Sequence, residues 1–339
     1  MSERSTVLMF SGQGSQYYQM GRRFFDGNVA FRNILLQLSD VAKPLLGRSI
    51  IDVLYTDGRR KDELFDEIKL TSAAIFMVEY ALASVLIDDG VKPDYLLASS
   101  MGIYAAAAIA AAADPREVLE SVIKLAAIYE TRCRKGGMIA ILGNAKLHGE
   151  MSVLRANSDI AAVNFDGHFV ISTTEEYWDE ITAVLLRENF SFQKIAVSYP
   201  FHSRWMDDAR EAALAVLETL RCRQPMIPLI CCAQTSVLET ITPASFWNSV
   251  RRPIEFQRTI AELERRGPRY YVDAGPAGTL TTLLKYALPS SSCSEMYPVL
   301  SPYGNELRNY EKLASERSLL GNPSWIQSAG TRATTQPTA

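Results

Sequence analysis

The chain has 339 residues, 47% of them hydrophobic, and a net charge of −3 at pH 7. This length allows one large domain, alone or with a smaller one. The slightly acidic charge argues against nucleic acid or an anionic membrane as the partner. The first residues lack the apolar core of a signal peptide, and the longest run of small apolar residues, 104–113, is too short to span a bilayer. We therefore expect a cytoplasmic protein.

The five cysteines show neither the spacing of a metal site nor that of a disulfide framework. We expect them to be reduced and buried, to pack as small hydrophobic residues, and not to act as nucleophiles. They are Cys133, Cys222, Cys231, Cys232 and Cys293.

The first part of the chain alternates predicted strands and helices. Residues 6–10 form an apolar strand that ends in a glycine-containing loop, and a helix follows near residues 20–25. Helical spacing of apolar residues covers 71–88, an apolar strand precedes residue 99, and another helix covers 118–132. Alternation of this kind predicts an α/β domain with a mainly parallel sheet.

The pattern changes after Gly136-Gly137. Strands are predicted at 138–142, 160–163, 169–172 and 192–197, with helices from 147 and over 178–188, and this βαββαβ order is typical of a ferredoxin-like unit. The first pattern then resumes with a helix from 205 and strands at 228–232 and 270–272. We therefore predict a large α/β-hydrolase-like domain (1–135 and 198–320), an inserted ferredoxin-like subdomain (136–197) and a disordered tail (321–339) rich in Ser, Thr, Gly and Pro.

One strand-to-helix junction has the layout of a nucleophile elbow. Ser100 stands between an apolar strand and an alanine-rich helix, with Ala98 and Gly102 two residues to either side. A larger side chain at those positions would collide within the sharp turn. Because alanine replaces the first glycine of the usual motif, an ordinary turn with a helix-capping serine stays open as the alternative.

A nucleophilic serine needs a base, and the chain has three histidines. His148 lies in a polar loop or helix start and is expected on the surface. His168 lies in a predicted hairpin turn, and His202 lies where the chain re-enters the large domain. Because domain junctions line clefts, His202 is the preferred base and His168 the alternative. A helix-capping role is the structural alternative for His202.

Acyl transfer also needs hydrogen-bond donors for the oxyanion of the tetrahedral intermediate. The backbone N–H of Met101 lies at the positive end of the helix after the elbow. The loop Gly12-Gln13-Gly14 is the expected source of the second donor. Nucleotide binding is the competing interpretation of this loop, but Tyr17 stands where the dinucleotide fingerprint needs glycine, and no Walker lysine follows.

Five ordered motifs, spread over residues 6–305, resemble the malonyl-CoA:acyl carrier protein transacylase family, which includes the acyltransferases of polyketide synthases. Besides the elbow they are Phe10-Ser11-Gly12-Gln13-Gly14-Ser15-Gln16, Asn164-Phe165-Asp166-Gly167-His168, Tyr199-Pro200-Phe201-His202-Ser203 and Asp273-Ala274-Gly275-Pro276.

The resemblance implies that Ser100 is the nucleophile and His202 its base, oriented by a main-chain carbonyl. It implies that the backbone N–H groups of Gln13 and Met101 form the oxyanion hole. It further implies an acyl group delivered on the phosphopantetheine of an acyl carrier protein, or on CoA, with no bound cofactor or metal.

Three positions depart from the family pattern. The histidine before the nucleophile is Ser99, the glutamate after the elbow glycine is Ile103, and the arginine that holds a malonyl carboxylate aligns with Ala126. Arg132 and Arg134 are the nearest arginines. A buried carboxylate without a partner costs several kcal/mol, so the pocket is expected to prefer neutral acyl groups. The expected pocket residues are Ser99, Ala126, Asn164, His168 and Phe201.

This pattern resembles the trans-acting acyl hydrolases of polyketide assembly lines, which release acyl groups from stalled carrier proteins. Hydrolysis of an acyl-Ser100 intermediate is our first hypothesis, ahead of a transacylase for non-carboxylated groups and a malonyl transacylase with a displaced arginine. An inactive carrier-binding scaffold and an unrelated lipase-like hydrolase complete the alternatives. We expect a monomer that docks an acidic carrier protein on basic side chains. The candidates are Arg132, Arg134, Lys135, Arg204, Arg251 and Arg252.

Overall fold

The structure is a computed structural model that describes residues 4–316, so the predicted tail at 321–339 lies outside the described residues. The strands are β1 (Ser5–Phe10), β2 (Tyr95–Ala98), β3 (Gly136–Leu142), β4 (Asp159–Phe165), β5 (His168–Thr174), β6 (Phe192–Lys194), β7 (Leu229–Cys231), β8 (Ser236–Leu238), β9 (Arg269–Asp273) and β10 (Glu295–Pro298).

The helices complete the framework. They are α1 (Arg22–Gly27), α2 (Val29–Leu46), α3 (Ile68–Asp88), α4 (Gly102–Ile109), α5 (Pro115–Arg132), α6 (Lys146–Glu150), α7 (Ser152–Asn157), α8 (Trp178–Arg187), α9 (Arg210–Leu217), α10 (Pro243–Arg251), α11 (Phe256–Glu264), α12 (Thr279–Ala287) and α13 (Glu306–Ser315), with 3₁₀ turns at Glu175–Tyr177 and Arg204–Ala209 and a π-helical turn at Asp52–Thr56.

The larger sheet has the order β10-β9-β1-β2-β7-β8, and all its neighbours are parallel except β7 and β8. Strands β1 and β2 are central and apolar, as expected for a sheet covered on both faces. Their register pairs Phe10 with Ala98, the last residue of each strand. The loop after β1 and the turn after β2 therefore leave the same edge of the sheet side by side, the usual place of a site in α/β folds.

The smaller sheet has the order β4-β5-β3-β6, and its neighbours are antiparallel. With the helices after β3 and β5, it forms the βαββαβ unit that the sequence predicted, around a small core of its own that includes Ile139, Phe169 and Ile181. The predicted fold class, α/β with a mainly parallel sheet and a ferredoxin-like unit, is confirmed. The exact boundaries of the two domains stay a prediction.

Several elements differ in detail from expectation. The helix expected from residue 147 is two short helices, α6 and α7. The alanine-rich helix after the elbow covers only part of the small apolar run 104–113 and ends at Ile109, because the chain turns at Ala111, where φ is +53°. Strand β6 ends at Lys194, because the N–H of Val197 turns back to the carbonyl of Ile195.

The cysteines and one helix also depart from the sequence interpretation. Cys133, Cys231 and Cys232 are buried as expected, whereas Cys222 is half-buried and Cys293, in the loop after α12, is exposed. Helix α3 is long and apolar enough to cross a membrane by length and composition, but 83% of that apolar window is buried inside the protein. It is therefore packed as a core helix.

Candidate active site

The elbow places Ser100 at the end of β2 in a strained conformation. Its φ is +55°, in the left-handed region that residues other than glycine rarely adopt. A Cβ atom on Gly102 would lie 2.4 Å from the carbonyl oxygen of Phe10, so only glycine allows the turn to pack on β1. Ala98 is fully buried beneath it. The small residues that flank the serine thus have the steric reason that the sequence suggested.

The Ser100 hydroxyl contacts one of the three histidines. Its Oγ lies 2.8 Å from Nε2 of His202, whose Nδ1 lies 2.7 Å from the carbonyl oxygen of Arg252. A carbonyl can only accept, so Nδ1 carries the proton and Nε2 is left with a lone pair toward the serine. Among residues 4–316, no carboxylate hydrogen-bonds to His202, so the backbone carbonyl alone orients the ring.

Burial sets the protonation state of this histidine. His202 is 2% exposed, and burial lowers its pKa to about 4, while the hydrogen bond to the Arg252 carbonyl acts in the opposite direction. The imidazole is therefore neutral at pH 7, the form that a general base requires.

The carbonyl that orients His202 is fixed by the chain around it. The N–H of His202 donates to Val250, the N–H of Ile254 donates to Ala161 of β4, and the N–H of Glu255 donates to Cys232. The segment after α10 is thereby tied to the small sheet on one side and to the end of β7 on the other.

The glycine loop after β1 packs directly on the elbow. A Cβ on Gly12 would lie 2.7 Å from Cβ of Ser100 and 3.3 Å from the backbone nitrogen of Met101. Within residues 4–316, the backbone N–H groups of Gln13 and Met101 donate no hydrogen bond to the protein. Met101 also precedes the first turn of α4, where the helix dipole favours negative charge. Both N–H groups are therefore free to donate to an oxygen bound beside the serine.

Two side chains to which the sequence analysis gave no role hold this loop in place. Glu79 in α3 accepts hydrogen bonds from the Ser11 backbone N–H at 2.7 Å and from its hydroxyl at 2.8 Å. Burial raises the Glu79 pKa well above its usual value, and the nearby Asp273 adds to this. Gln16 donates to the carbonyls of Phe65 and Ala196, both at 2.9 Å. Glu79 could have been identified in the sequence as an acidic residue in the middle of an otherwise apolar helix.

Two spaces meet at Ser100. One is a cavity of about 30 Å³ between the elbow and α5, whose wall includes Val122, Leu125 and Ala126, and none of its lining side chains is charged. The other is a cleft of about 390 Å³ between the two sheets, which reaches His202. Because Ser100 lines both, a thioester at this serine can place its acyl group in the cavity and its thiol arm in the cleft.

The expected pocket residues divide between these spaces. Ala126 lines the cavity, Ser99, Asn164 and His168 line the cleft, and Phe201 lines both. Asn164 Nδ2 lies 3.0 Å from His168 Nδ1, and burial lowers the His168 pKa, but this ring makes no hydrogen bond to the serine.

The remaining histidine differs from expectation. His148, which lies in α6, is half-buried rather than on the surface, and its Nε2 lies 3.2 Å from the carbonyl of Ser158, the residue after α7.

Most of the candidate docking cations already pair with other side chains of the protein. Arg204 pairs with Asp159, Arg251 with Asp207 and Arg134 with Glu176, while Lys135 donates to the Tyr199 hydroxyl at 2.7 Å. Within the described part of the chain, the exposed side chains of Arg132 and Arg252 have no such partner. Lys194, which the sequence analysis did not select, lines the cleft and lies over the Trp178 ring.

Comparison with known proteins places these observations in a family context. The family model "Acyl transferase domain" matches residues 7–319. The polyketide biosynthesis acyltransferase homolog PksD of Bacillus subtilis (strain 168) is 38% identical over 303 residues, covering 89% of this chain and 94% of that protein. The homolog BaeD of Bacillus velezensis is also 38% identical, over 317 residues, covering 94% and 97%.

Solved structures of similar fold include the acyl transferase domain of SpnD, with a TM-score of 0.82, 23% identity and coverage of 95% of this chain and 79% of that one. The malonyl CoA-acyl carrier protein transacylase of Coxiella burnetii has a TM-score of 0.75 and 20% identity, with coverage of 98% and 99%. At these identities the likeness concerns the fold.

Proposed function

Because the chain belongs to the acyl transferase domain family, we propose that it is a serine-dependent hydrolase of non-carboxylated acyl groups carried on an acyl carrier protein. Its family and its relatives identify it as an acyltransferase-type protein of polyketide biosynthesis. The finer proposal rests on one observation, the absence of any charged side chain from the lining of the acyl cavity beside Ser100.

In the proposed acylation step, the Ser100 hydroxyl attacks the thioester carbonyl while Nε2 of His202 takes its proton. The N–H groups of Gln13 and Met101 stabilise the oxyanion. The intermediate collapses, the C–S bond breaks, and His202 returns the proton to the departing pantetheine sulfur. An acyl ester of Ser100 and a free thiol result.

In the proposed second step, water enters the cleft that the thiol arm has left. His202 takes a proton from this water, the hydroxide adds to the ester carbonyl, and the C–O bond to Ser100 breaks. The proton returns to the serine, and a free acid is released. A transacylase shares the first step and replaces water with a second carrier thiol, so it is the second candidate.

Ala126 supports the choice of acyl group. A malonyl group would place its carboxylate in the apolar cavity, where no cation is available to compensate for the lost hydration. The exposed Arg132 and Arg134 do not line this cavity. This arrangement disfavours the malonyl transacylase with a displaced arginine. The contact between Ser100 and His202 disfavours an inactive scaffold.

The chemistry of chain extension on a carrier protein supports the choice of hydrolysis over transfer. A carboxylated unit on a carrier can lose CO₂ and become the nucleophile of chain extension, whereas a non-carboxylated acyl group on that carrier blocks it. An enzyme that selects such groups and releases them as acids would restore the free carrier. We further propose that it acts in the cytoplasm as a monomer, with the substrate carried on phosphopantetheine and no bound cofactor.

The test follows the intact mass of the carrier proteins. Acetyl- and malonyl-carrier protein are each incubated with the enzyme, with and without a second, unacylated carrier, and Ser100→Ala serves as the control. We expect conversion of acetyl-carrier to free carrier and acetate without an acceptor, little reaction of malonyl-carrier, and none with Ser100→Ala.

Two results would reject the proposal. A stable acyl-enzyme that discharges only onto the second carrier would identify a transacylase. Efficient turnover of malonyl-carrier would contradict the argument from Ala126.

A further inference from the structure

A series of short polar contacts runs from α3 into the loop after β1. Oε1 of Glu79 lies 2.8 Å from Oγ of Ser11, which in turn lies 3.0 Å from Oγ of Ser15. The Ser15 hydroxyl donates to the carbonyl of Gly12 at 2.7 Å. Glu79, Ser11 and Ser15 are 1%, 1% and 3% exposed. This network therefore ends, away from water, on the peptide group that joins Gly12 to Gln13.

The number of protons sets the direction of each contact. A carbonyl can only accept, so the single proton of the Ser15 hydroxyl goes to Gly12. The contact between the two serines then needs the proton of Ser11. An ionised Glu79 would take that proton and leave the two serine oxygens with none between them. A neutral Glu79 donates its own proton to Ser11 Oγ, and every contact then holds one proton.

The surroundings of Glu79 favour the neutral acid. Its Oε2 is buried without a hydrogen-bond partner among residues 4–316, which is costly for an ionised carboxylate. Burial, with a smaller contribution from nearby Asp273, raises the Glu79 pKa well above its usual value. Burial raises the pKa of Asp273 only to about 6, because N–H groups of Thr281 and Gly275 donate to its carboxylate. The negative charge of this region therefore lies on Asp273.

The network acts on a donor of the oxyanion hole. The Gly12–Gln13 peptide is trans, so its C=O and N–H point in opposite directions, and a hydrogen bond at the carbonyl fixes the direction of the Gln13 N–H. Within residues 4–316 this N–H has no partner, and its loop packs directly on Ser100. A hydrogen bond accepted by the carbonyl also polarises the peptide, and successive hydrogen bonds strengthen one another.

We propose that Glu79, Ser11 and Ser15 orient and polarise the Gly12–Gln13 peptide through this network, with Glu79 acting as a neutral acid. The three are positioning residues, because they act on the oxyanion only through the Gln13 N–H. The inference rests on the proposed acyl chemistry at Ser100. It applies to hydrolysis and to transfer alike, since both pass through the same oxyanion.

The test removes the first and the last side chain of the network. Glu79→Gln keeps the shape of the side chain but removes the acid proton, and Ser15→Ala removes the hydroxyl while the Ser15 N–H still donates to Gly12 at 3.3 Å. With the acetyl thioester of N-acetylcysteamine, we expect each variant to lower kcat about tenfold at a nearly unchanged KM, because the oxyanion forms only during the reaction. The double variant should lose little more than the less active single variant, because both changes break one network.

A second measurement follows the oxyanion hole without turnover. The probe is a trifluoromethyl ketone, the thioether of N-acetylcysteamine with 1,1,1-trifluoroacetone, which adds to Ser100 as a tetrahedral adduct. We expect its Ki to rise about tenfold in both variants. An enzyme that forms this adduct but hydrolyses no thioester would reject the proposed hydrolysis, and the Ki values would then decide the role of the network by themselves.

Two buried residues that line neither the cavity nor the cleft provide matched controls. The Ser158 hydroxyl donates to a backbone carbonyl at 2.7 Å, as that of Ser15 does, and Glu306 is a fully buried acid. We expect Ser158→Ala and Glu306→Gln to leave kcat and Ki unchanged. If Glu79→Gln does not fold, the comparison of Ser15→Ala with Ser158→Ala decides the question.

Three outcomes would overturn the inference. The first is wild-type kcat and Ki in the Glu79 and Ser15 variants. The second is a double variant whose losses multiply, which would mean that the two side chains act independently. The third is a higher KM at an unchanged kcat, which would assign these residues to substrate binding and not to the oxyanion.

Discussion

The cavity and the cleft differ in nearly every property although both contact Ser100. The cavity is narrow, uncharged and mostly apolar, and side chains of α3, α4 and α5 bound it, with Gln13 and Ser72 as polar members of its wall. The cleft is more than ten times larger, and backbone and polar groups such as those of Gly12, Asn164 and Lys194 line it. In the proposed function, the chemistry depends on the cleft side, where His202 lies, and the choice of acyl group depends on the cavity side. Changes on the two sides should therefore have separable effects.

The largest effect is expected on the cleft side, at the base. His202→Ala should lower the rate of acylation by about 10³- to 10⁴-fold, because Ser100 loses its proton acceptor. Single-turnover formation of the acyl-enzyme, followed by intact mass, measures this step directly. Asn164→Ala, which alters the same cleft without touching Ser100, serves as the control. Equal losses in both variants would show that the cleft as a whole, and not the imidazole, supports the reaction.

The oxyanion loop comes next. Gly12→Ala places a methyl group 2.7 Å from Cβ of Ser100, which forces the loop and its N–H donors away from the elbow. We expect kcat/KM to fall by about 10²-fold, in line with the loss of one oxyanion donor, with a small change in Tm. Gly149→Ala is the matched control, because its added Cβ meets no atom within 4 Å. An active Gly12→Ala enzyme would contradict the role of this loop.

A substitution on the cavity side should change the substrate and leave the chemistry in place. Ala126→Arg introduces a cation at the wall of the apolar cavity and should raise the ratio of malonyl to acetyl turnover by about tenfold or more. Its Tm should fall, because a charge is buried in the empty enzyme. Ala126→Leu fills a similar space without charge and should slow both substrates. Equal ratios in the two variants would show that volume alone governs selection.

The smallest expected effect is on pH dependence. With the pKa of His202 lowered to about 4, kcat/KM for acylation should keep most of its pH 7 value at pH 5. The unfolded histidine titrates near pH 6.5, so its contribution to stability is present above pH 6.5 and is lost as the pH falls toward 4. A pH–rate profile and parallel thermal unfolding measure the two effects. An acidic limb near pH 6.5 would mean that the ring is solvated in the free enzyme.

The parts that could be predicted from sequence are those with local patterns. Apolar periodicity predicted the smaller sheet and four strands of the larger one, but not its short edge strands β8 and β10. The fold class is confirmed. The elbow, the glycine loop and His202 lie together in the structure, although their roles stay predictions. Each depends on residues adjacent in the chain, such as the small side chains that flank Ser100.

Tertiary packing decides the parts that could not be predicted. The orienting group of His202 is the carbonyl of Arg252, and every residue carries a carbonyl, so no side chain marks it. The anchor of the loop, Glu79, comes from a helix 68 positions beyond Ser11. Ion pairing of Arg204 and Arg251 likewise depends on acids distant in sequence.

An isolated β-bridge between Ile254 and Ala162 joins the segment that orients His202 to the small sheet. The N–H and the carbonyl of Ile254 each make a hydrogen bond of 2.8 Å to β4. Ile254 lies two residues after Arg252, whose carbonyl orients the imidazole. A hinge-like opening between the sheets would draw this carbonyl away and leave the ring free to rotate, while the main sheet stayed folded. We therefore expect the packing of the small subdomain against the large one to keep the His202 ring oriented toward Ser100.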